Sequence, residues 1–160
     1  IENSIENLYI LNGSSVRFGN VCITGATLWT NPDCGVPPFI VRIPELRTSE
    51  YRRRHFQDLR YIKNMIEHCR RKNYKLVVVT HHPPSFAVMQ ANDKRKKFRS
   101  LYATDLEYLL KKDNVNTWIS GHVHKNFDFI TEQGTRLLSN QKGKPKDKTK
   151  GYSKTFVISL

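Results

Sequence analysis

The chain has 160 residues, of which 38% are hydrophobic and 26% charged, and its formal net charge is +13 at pH 7. This composition is typical of a globular domain and excludes a chain that is disordered throughout. The longest aliphatic run, residues 76–79, is far shorter than a bilayer span, and the first residues do not resemble a secretory signal. We therefore expect a soluble protein with no membrane partner.

The first half of the sequence predicts short strands followed by one long helix. Residues 8–11, 16–18 and 21–24 are apolar runs separated by glycine- and asparagine-containing turns, a pattern that favours a meander. The proline-rich residues 30–44 predict a loop. Thr48 or Ser49 is expected to cap a helix that ends near Lys72. Its predicted buried face carries Leu59, Ile62, Ile66 and Cys69.

The second half predicts strands separated by one more helix. Residues 76–80 and 118–120 have the composition of buried strands, and residues 104–107 (T-D-L-E) form a capping box that predicts a helix between them. Residues 127–130, 135–139 and 155–160 are further predicted strands, the last with an alternating apolar face. Helices between the first strands and a strand-only tail indicate an α/β fold with mixed β-sheets.

Two histidine pairs follow two of the predicted strands. His81 and His82 come directly after residues 76–80, and His122 and His124 come just after residues 118–120. Active sites of open α/β sheets lie at the carboxyl ends of strands, where we expect Gly121 to turn the chain and Pro83 to keep the other loop out of a helix. Imidazole is a common metal ligand, so the pattern predicts a metal site. A single His-x-His pair is more often a core or surface feature.

The two histidine segments resemble known motifs. Residues 80–85 (T-H-H-P-P-S) and 120–124 (S-G-H-V-H) resemble the last two motif blocks of the calcineurin-like metallophosphoesterases, and residues 25–30 and 135–141 resemble neighbouring segments. Three earlier blocks of that family, D-x-H, G-D-x-x-D and G-N-H-D/E, do not occur in the sequence. The resemblance implies that residues 1–160 are the C-terminal portion of a single domain, an αββα sandwich whose first strands and remaining ligands lie in a missing N-terminal segment.

The resemblance also implies a reaction. The family uses two divalent metal ions, such as Mn, Fe or Zn, to activate a water molecule that attacks phosphorus in a phosphoester substrate. By position, His81 and His122 would bind one ion and His124 the other, while His82 would be the catalytic group beside the phosphate. The sequence leaves the metal, and the choice between monoester and diester, open. We expect the chain by itself to be inactive, because too few ligands are present.

Lysine and arginine are concentrated in two predicted loops, from Lys94 to Arg99 and from Lys142 to Lys150. Basic loops near a phosphate-cleaving site could attract nucleic acid, although lysine-rich loops are often only solvated segments. The alternative function is therefore a non-catalytic, degenerate family member that acts as a basic nucleic-acid-binding or structural protein.

Three cysteines occur, at positions 22, 34 and 69. They form no C-x-x-C pair, and an odd number cannot all be paired within one chain. Free thiols suit a reducing compartment. We therefore expect a cytoplasmic or intracellular viral location.

Overall fold

A computed structural model describes residues 5–31, 43, 45–89, 94–147 and 149–160, without the side chains of residues 94–97. The described strands form one six-stranded mixed sheet, so the predicted α/β class with mixed strand directions is confirmed. The strands are β1 (Ser14–Phe18), β2 (Val21–Ala26), β3 (Lys75–Thr80), β4 (Thr117–Ser120), β5 (Phe127–Ile130) and β6 (Arg136–Ser139). The sheet is open, and its order is β1-β2-β3-β4-β6-β5.

The four central strands of the sheet run parallel, and the two outer strands are antiparallel to their neighbours. β2 pairs with β3, β3 with β4 and β4 with β6 in parallel, whereas β1 and β5 complete antiparallel hairpins. In the registers of these pairs, Ala26 lies beside Thr80 and Thr80 beside Ser120. The residues that follow β2, β3, β4 and β6 therefore meet at one edge of the sheet.

One long helix, α1 (Thr48–Lys72), packs against β2 and β3. Ile62, Ile66 and Cys69 are buried as predicted, and Leu59 packs against the core. The predicted cap is wrong: Arg47 is the N-cap and makes no side-chain cap hydrogen bond, while Thr48 and Ser49 already belong to the helix. Packing of the apolar face stabilises a long helix far more than one cap does.

The core between helix and sheet centres on Trp118 of β4, which is fully buried. Its indole Nε1 donates a 2.9 Å hydrogen bond to Thr80 Oγ1, which itself donates to the His82 carbonyl oxygen at 2.7 Å. This chain of bonds joins the ends of β3 and β4. The core therefore fixes the geometry of the loops that carry the two histidine pairs.

Three predicted elements are wrong. Residues 8–11 form no strand, so the predicted meander is only the β1–β2 hairpin. The capping box opens no long helix; only the three-residue 3-10 helix Glu107–Leu109 follows it, although Leu106, Leu109 and Leu110 are buried as predicted. Residues 155–160 form no strand, and Phe156, Val157 and Leu160 are exposed.

Other expectations are only partly covered by the structure. Most of the predicted loop at residues 30–44, with Cys34, lies outside the described residues. Residues 94–101 form a kinked 3-10 helix, but the side chains of Lys94 to Lys97 lie outside the description. Cys22 and Cys69 are buried free thiols. No helix in the described ranges is both long and apolar enough to cross a membrane.

Candidate metal centre

Three histidine side chains converge at the edge where β3 and β4 end. His81 and His82 follow β3 directly, and His122 lies two residues after β4, whose last residue pairs with the last residue of β3. Their candidate ligand nitrogens all lie within 4.8 Å of one another. Because both strands run parallel, two loops that are forty positions apart in sequence deliver their imidazoles to the same place.

The closest contact in this cluster joins His81 Nε2 and His122 Nδ1, which are 2.9 Å apart. The His82 ring is also close, with its centroid 4.7 Å from that of His81 and 4.2 Å from that of His122. At a metal–nitrogen distance of about 2.0–2.1 Å, two nitrogens at this separation subtend an angle of about 90° at a shared ion. The donor set therefore fits a divalent metal, for which His81 Nε2 and His122 Nδ1 would be ligands.

His122 and His124 adopt left-handed backbone conformations, with φ of 62° and 51°. Positive φ is uncommon for residues other than glycine, and such conformations concentrate at functional sites. The expectation that Gly121 makes the sharp turn is wrong, since its φ is not positive. A Cβ at Gly121 would meet the His81 carbonyl oxygen at 3.5 Å, an ordinary contact. The histidines themselves therefore make the turn that aims their rings.

The predicted catalytic residue His82 is buried beneath the cluster. Its Nδ1 lies 3.4 Å from the carbonyl oxygen of Thr27, which only accepts hydrogen bonds, so Nδ1 carries the proton and Nε2 the lone pair. Burial, reinforced by the charges of His122 and His81, lowers the pKa of His82 to about 3. Burial also lowers the pKa of His81, with a smaller contribution from His124. Both rings are therefore neutral at pH 7, as metal ligands must be.

His124 lies outside this trio and contacts a carboxylate instead. Its Nδ1 is 2.7 Å from Asp147 Oδ2, and its backbone N–H donates to Gln141 Oε1 at 3.2 Å. A carboxylate that accepts the Nδ1 proton leaves Nε2 as the ligand nitrogen, an arrangement that is usual around metal-binding histidines. Asp147 in turn accepts a 2.7 Å hydrogen bond from the Lys144 backbone N–H, which contributes most to lowering its pKa.

Sequence reasoning missed two residues that hold the site together. Gln141 bridges the loops, because its Nε2 donates to Lys125 O at 3.0 Å and to Ser139 Oγ at 2.8 Å while its Oε1 binds the His124 N–H. Asn140, the neighbour of Gln141 in the chain, exchanges two hydrogen bonds with the Ser153 backbone and makes no such bridge in the described residues. One feature of the sequence could have drawn attention to Asp147: it is the only acidic residue after Glu132.

The other two histidines of the chain, and two aspartates, lie elsewhere in the fold. His55 is buried in α1, with its Nδ1 2.5 Å from the Trp29 carbonyl oxygen, and His68 is exposed on the same helix. Asp58 accepts a hydrogen bond from the Trp29 backbone N–H, and burial raises its pKa. Asp128 forms a bidentate pair with Arg136. None of these four groups belongs to the histidine cluster.

Comparison with known proteins gives one family. The family model for the calcineurin-like phosphoesterases matches residues 9–126, which include β1 to β4 and both histidine pairs. No curated protein matches the chain. The family match ends before the lysine-rich segment that carries Asp147.

Proposed function

Because the chain belongs to the calcineurin-like phosphoesterases, we propose that it forms part of a centre that hydrolyses a phosphoester with the help of two divalent metal ions, such as Mn, Fe or Zn. The family motifs D-x-H, G-D-x-x-D and G-N-H-D/E, which this sequence lacks, would supply the other ligands. The observation that carries this proposal is the cluster of His81, His82 and His122 at the ends of two parallel strands. Three imidazoles held this close, beside a left-handed turn, fit a metal site.

The residues divide into ligands and supporting groups. We assign His81 and His122 to one ion and His124 to the other. When bound, such ions lower the pKa of a water molecule and neutralise the charge of a phosphate. His82, which is buried and neutral, lies with its ring centroid 4.2 Å from that of His122, and we assign it the role of orienting the phosphate or the His81 and His122 rings. The carboxylate of Asp147 holds His124 with its proton on Nδ1.

The test is hydrolysis of a generic aryl phosphodiester in the presence of Mn²⁺ by a parent protein that also contains those three motifs, and by two variants of it. His122→Ala removes a proposed ligand and should lower kcat/KM by at least about a hundredfold. His68→Ala, a matched change on the exposed surface of α1, should leave the rate within about twofold. Equal rates in both variants would contradict the proposal. No hydrolysis by the parent, together with tight binding of nucleic acid, would favour the non-catalytic alternative.

A further inference from the structure

A groove with a volume of about 490 Å³ opens beside His124. Phe127 and Phe129 of β5 line it, Ala87 and Val88 line it from another part of the chain, and Asp147 and Lys150 line it from the lysine-rich segment. We call it the β5 groove. Its volume is in the range of small-molecule sites. Because His124 is part of the lining, a ligand in the β5 groove would lie against a proposed metal ligand.

The wall formed by residues 142–147, 149 and 150 is held in place at three points. Asn126 Nδ2 donates one 3.0 Å hydrogen bond to the Gln141 carbonyl oxygen and another to the Lys150 carbonyl oxygen, so one side chain ties both ends of this segment. Between these ends, Asp147 contacts His124. The segment is therefore a wall of the β5 groove and not merely a solvated lysine run.

The lining combines aromatic rings with charges. Phe127 and Phe129 alternate along β5 and so share one face of the strand, with ring centroids 6.0 Å apart and planes inclined by 55°. Lys125 and Lys150 also line the groove, and Asp147 is the acidic lining residue. An acyl chain would gain nothing from these charges, whereas a heteroaromatic base with a phosphate uses both rings and cations.

We infer that the β5 groove binds the nucleoside part of a nucleoside phosphoester, with the base against Phe127 and Phe129 and the phosphate towards His124. This assignment rests on the proposed phosphoesterase function and names its substrate class. A free mononucleotide and the end of an RNA strand share this chemistry, and the experiment below separates them.

The test measures binding in EDTA, so that no turnover occurs, with adenosine 5′-monophosphate, ribose 5-phosphate and a short oligoribonucleotide as probes. The parent should bind the mononucleotide at least about fivefold more tightly than ribose 5-phosphate, because a stacked base typically adds about five- to a hundredfold in affinity. Phe129→Leu keeps an apolar side chain in the fold but removes a ring, so it should abolish most of this preference and leave ribose 5-phosphate binding unchanged.

Two further variants test whether the loss of base preference in Phe129→Leu comes from the groove and not from misfolding. Ala87→Trp places a large side chain in the groove from an exposed position and should also remove the preference for the base. Phe18→Leu, an exposed change on β1, should not. Tighter binding of the oligoribonucleotide than of adenosine 5′-monophosphate, in a parent that keeps the preference for the base, would identify the end of an RNA strand as the source of the ligand. Equal binding of the mononucleotide and ribose 5-phosphate by the parent, or equal losses for both probes in Phe129→Leu, would overturn the inference.

These outcomes are independent of the hydrolysis assay. A preference for the base without metal-dependent hydrolysis would support the assignment of the β5 groove and contradict the proposed reaction. Hydrolysis of an aryl phosphodiester without any preference for the base would support the proposed reaction and contradict the assignment of the β5 groove.

Discussion

The site depends on the backbone of two histidines and not on the glycine beside them. His122 and His124 have positive φ, whereas Gly121 does not. Sequence reasoning assigned the turn to glycine because glycine adopts such angles at little cost. The structure places the strain on the metal-binding candidates themselves, which is consistent with a functional constraint.

Gly121→Ala should therefore be tolerated. The added methyl group would contact the His81 carbonyl oxygen at 3.5 Å, whereas at Gly25 it would lie 2.7 Å from the Leu11 carbonyl oxygen. We expect Gly121→Ala to change the free energy of unfolding by less than about 0.5 kcal/mol and Gly25→Ala to lower it by about 1–3 kcal/mol. Urea denaturation measures both values, and an equal loss at the two positions would contradict this account.

His82 should make the metal-free protein less stable in acid. Its pKa falls from an ordinary 6.5 to about 3 in the folded state, so between these values the unfolded chain binds the proton and the folded chain does not. The free energy of unfolding should therefore decrease as pH falls below 6.5, by up to about 1.4 kcal/mol per pH unit from this group.

Urea denaturation at a series of pH values in EDTA checks this dependence. His82→Gln should show a shallower loss between pH 6 and about 4, whereas the control His68→Gln should retain the parent slope. Parallel curves for the parent and His82→Gln would show that this ring does not control acid stability.

At the level of elements, hydrophobic patterns predicted the strands and the helix that depend on residues close together in sequence. The strands that carry the site and the 25-residue helix α1 were predicted within a few residues, because each has a strong apolar pattern. Convergence of their loops at one sheet edge followed from the rule for parallel strands. The contacts of Gln141 and Asp147 could not be predicted, since they depend on how loops far apart in sequence fold over that edge.

The capping box fails because tertiary contacts compete for its residues. Glu107 accepts a short hydrogen bond from Ser85 Oγ instead of folding back on Thr104, and Ser85 Oγ also binds the Ala87 N–H. Thr104 Oγ1 is buried with no hydrogen-bond partner in the described part of the chain. The sequence motif therefore joins two loops instead of starting a helix.

Variants at these positions separate the two roles. Thr104→Val removes a hydroxyl that makes no hydrogen bond to the described residues and should be neutral or stabilising, whereas a true cap would cost about 1 kcal/mol. Ser85→Ala should destabilise by about 1–3 kcal/mol, because it removes a buried donor from the Glu107 carboxylate. Thermal or urea denaturation measures the stability of both variants. A larger loss of stability in Thr104→Val than in Ser85→Ala would support the capping-box interpretation.

The predicted final strand fails for a different reason. Residues 155–160 alternate as a strand does, but no described strand pairs with them, and Val157 is 86% exposed. Two hydrogen bonds between the Asn140 side chain and the Ser153 backbone, one donated by each residue, hold the chain just before this segment. An alternating pattern predicts a face that can be buried, but it does not supply the partner that buries it.

At the scale of the whole molecule, the net charge of +13 predicts attraction to polyanions. The described part of the lysine-rich segment, residues 142–147, 149 and 150, contacts His124 through Asp147 and Asn126 through the Lys150 carbonyl oxygen. The basic residues of α1 lie on a different element, where two of them, Arg70 and Arg71, pair with Glu67. Charge in residues 142–150 should therefore matter more for polyanion binding than equal charge on the helix.

Neutralising four lysines of this segment should weaken binding of single-stranded RNA and flatten its salt dependence, by about 0.7 in slope for each phosphate that the protein no longer neutralises. The variant changes Lys142, Lys144, Lys146 and Lys150 to Gln. A control with the same change in charge neutralises Arg52, Arg70, Arg71 and Lys72 of α1. Fluorescence anisotropy at several salt concentrations gives both slopes, and equal effects would mean that only total charge matters. The same assay extends to the basic residues from Lys94 to Arg99, for which nucleic-acid binding stays a prediction. The sequence predicted a loop at these residues, and the structure has a kinked 3-10 helix there.

The proposed hydrolysis depends on metal binding by the converging histidines. Crystals of the protein grown with Zn²⁺ allow a direct measurement by anomalous scattering at the zinc edge. A zinc ion held by these residues should give a peak about 2.0–2.1 Å from ring nitrogens of both His81 and His122. The peak should be lost in His122→Ala but present in His68→Ala. A map of the parent protein with no peak at these rings, or an unchanged peak in His122→Ala, would contradict metal binding by these histidines.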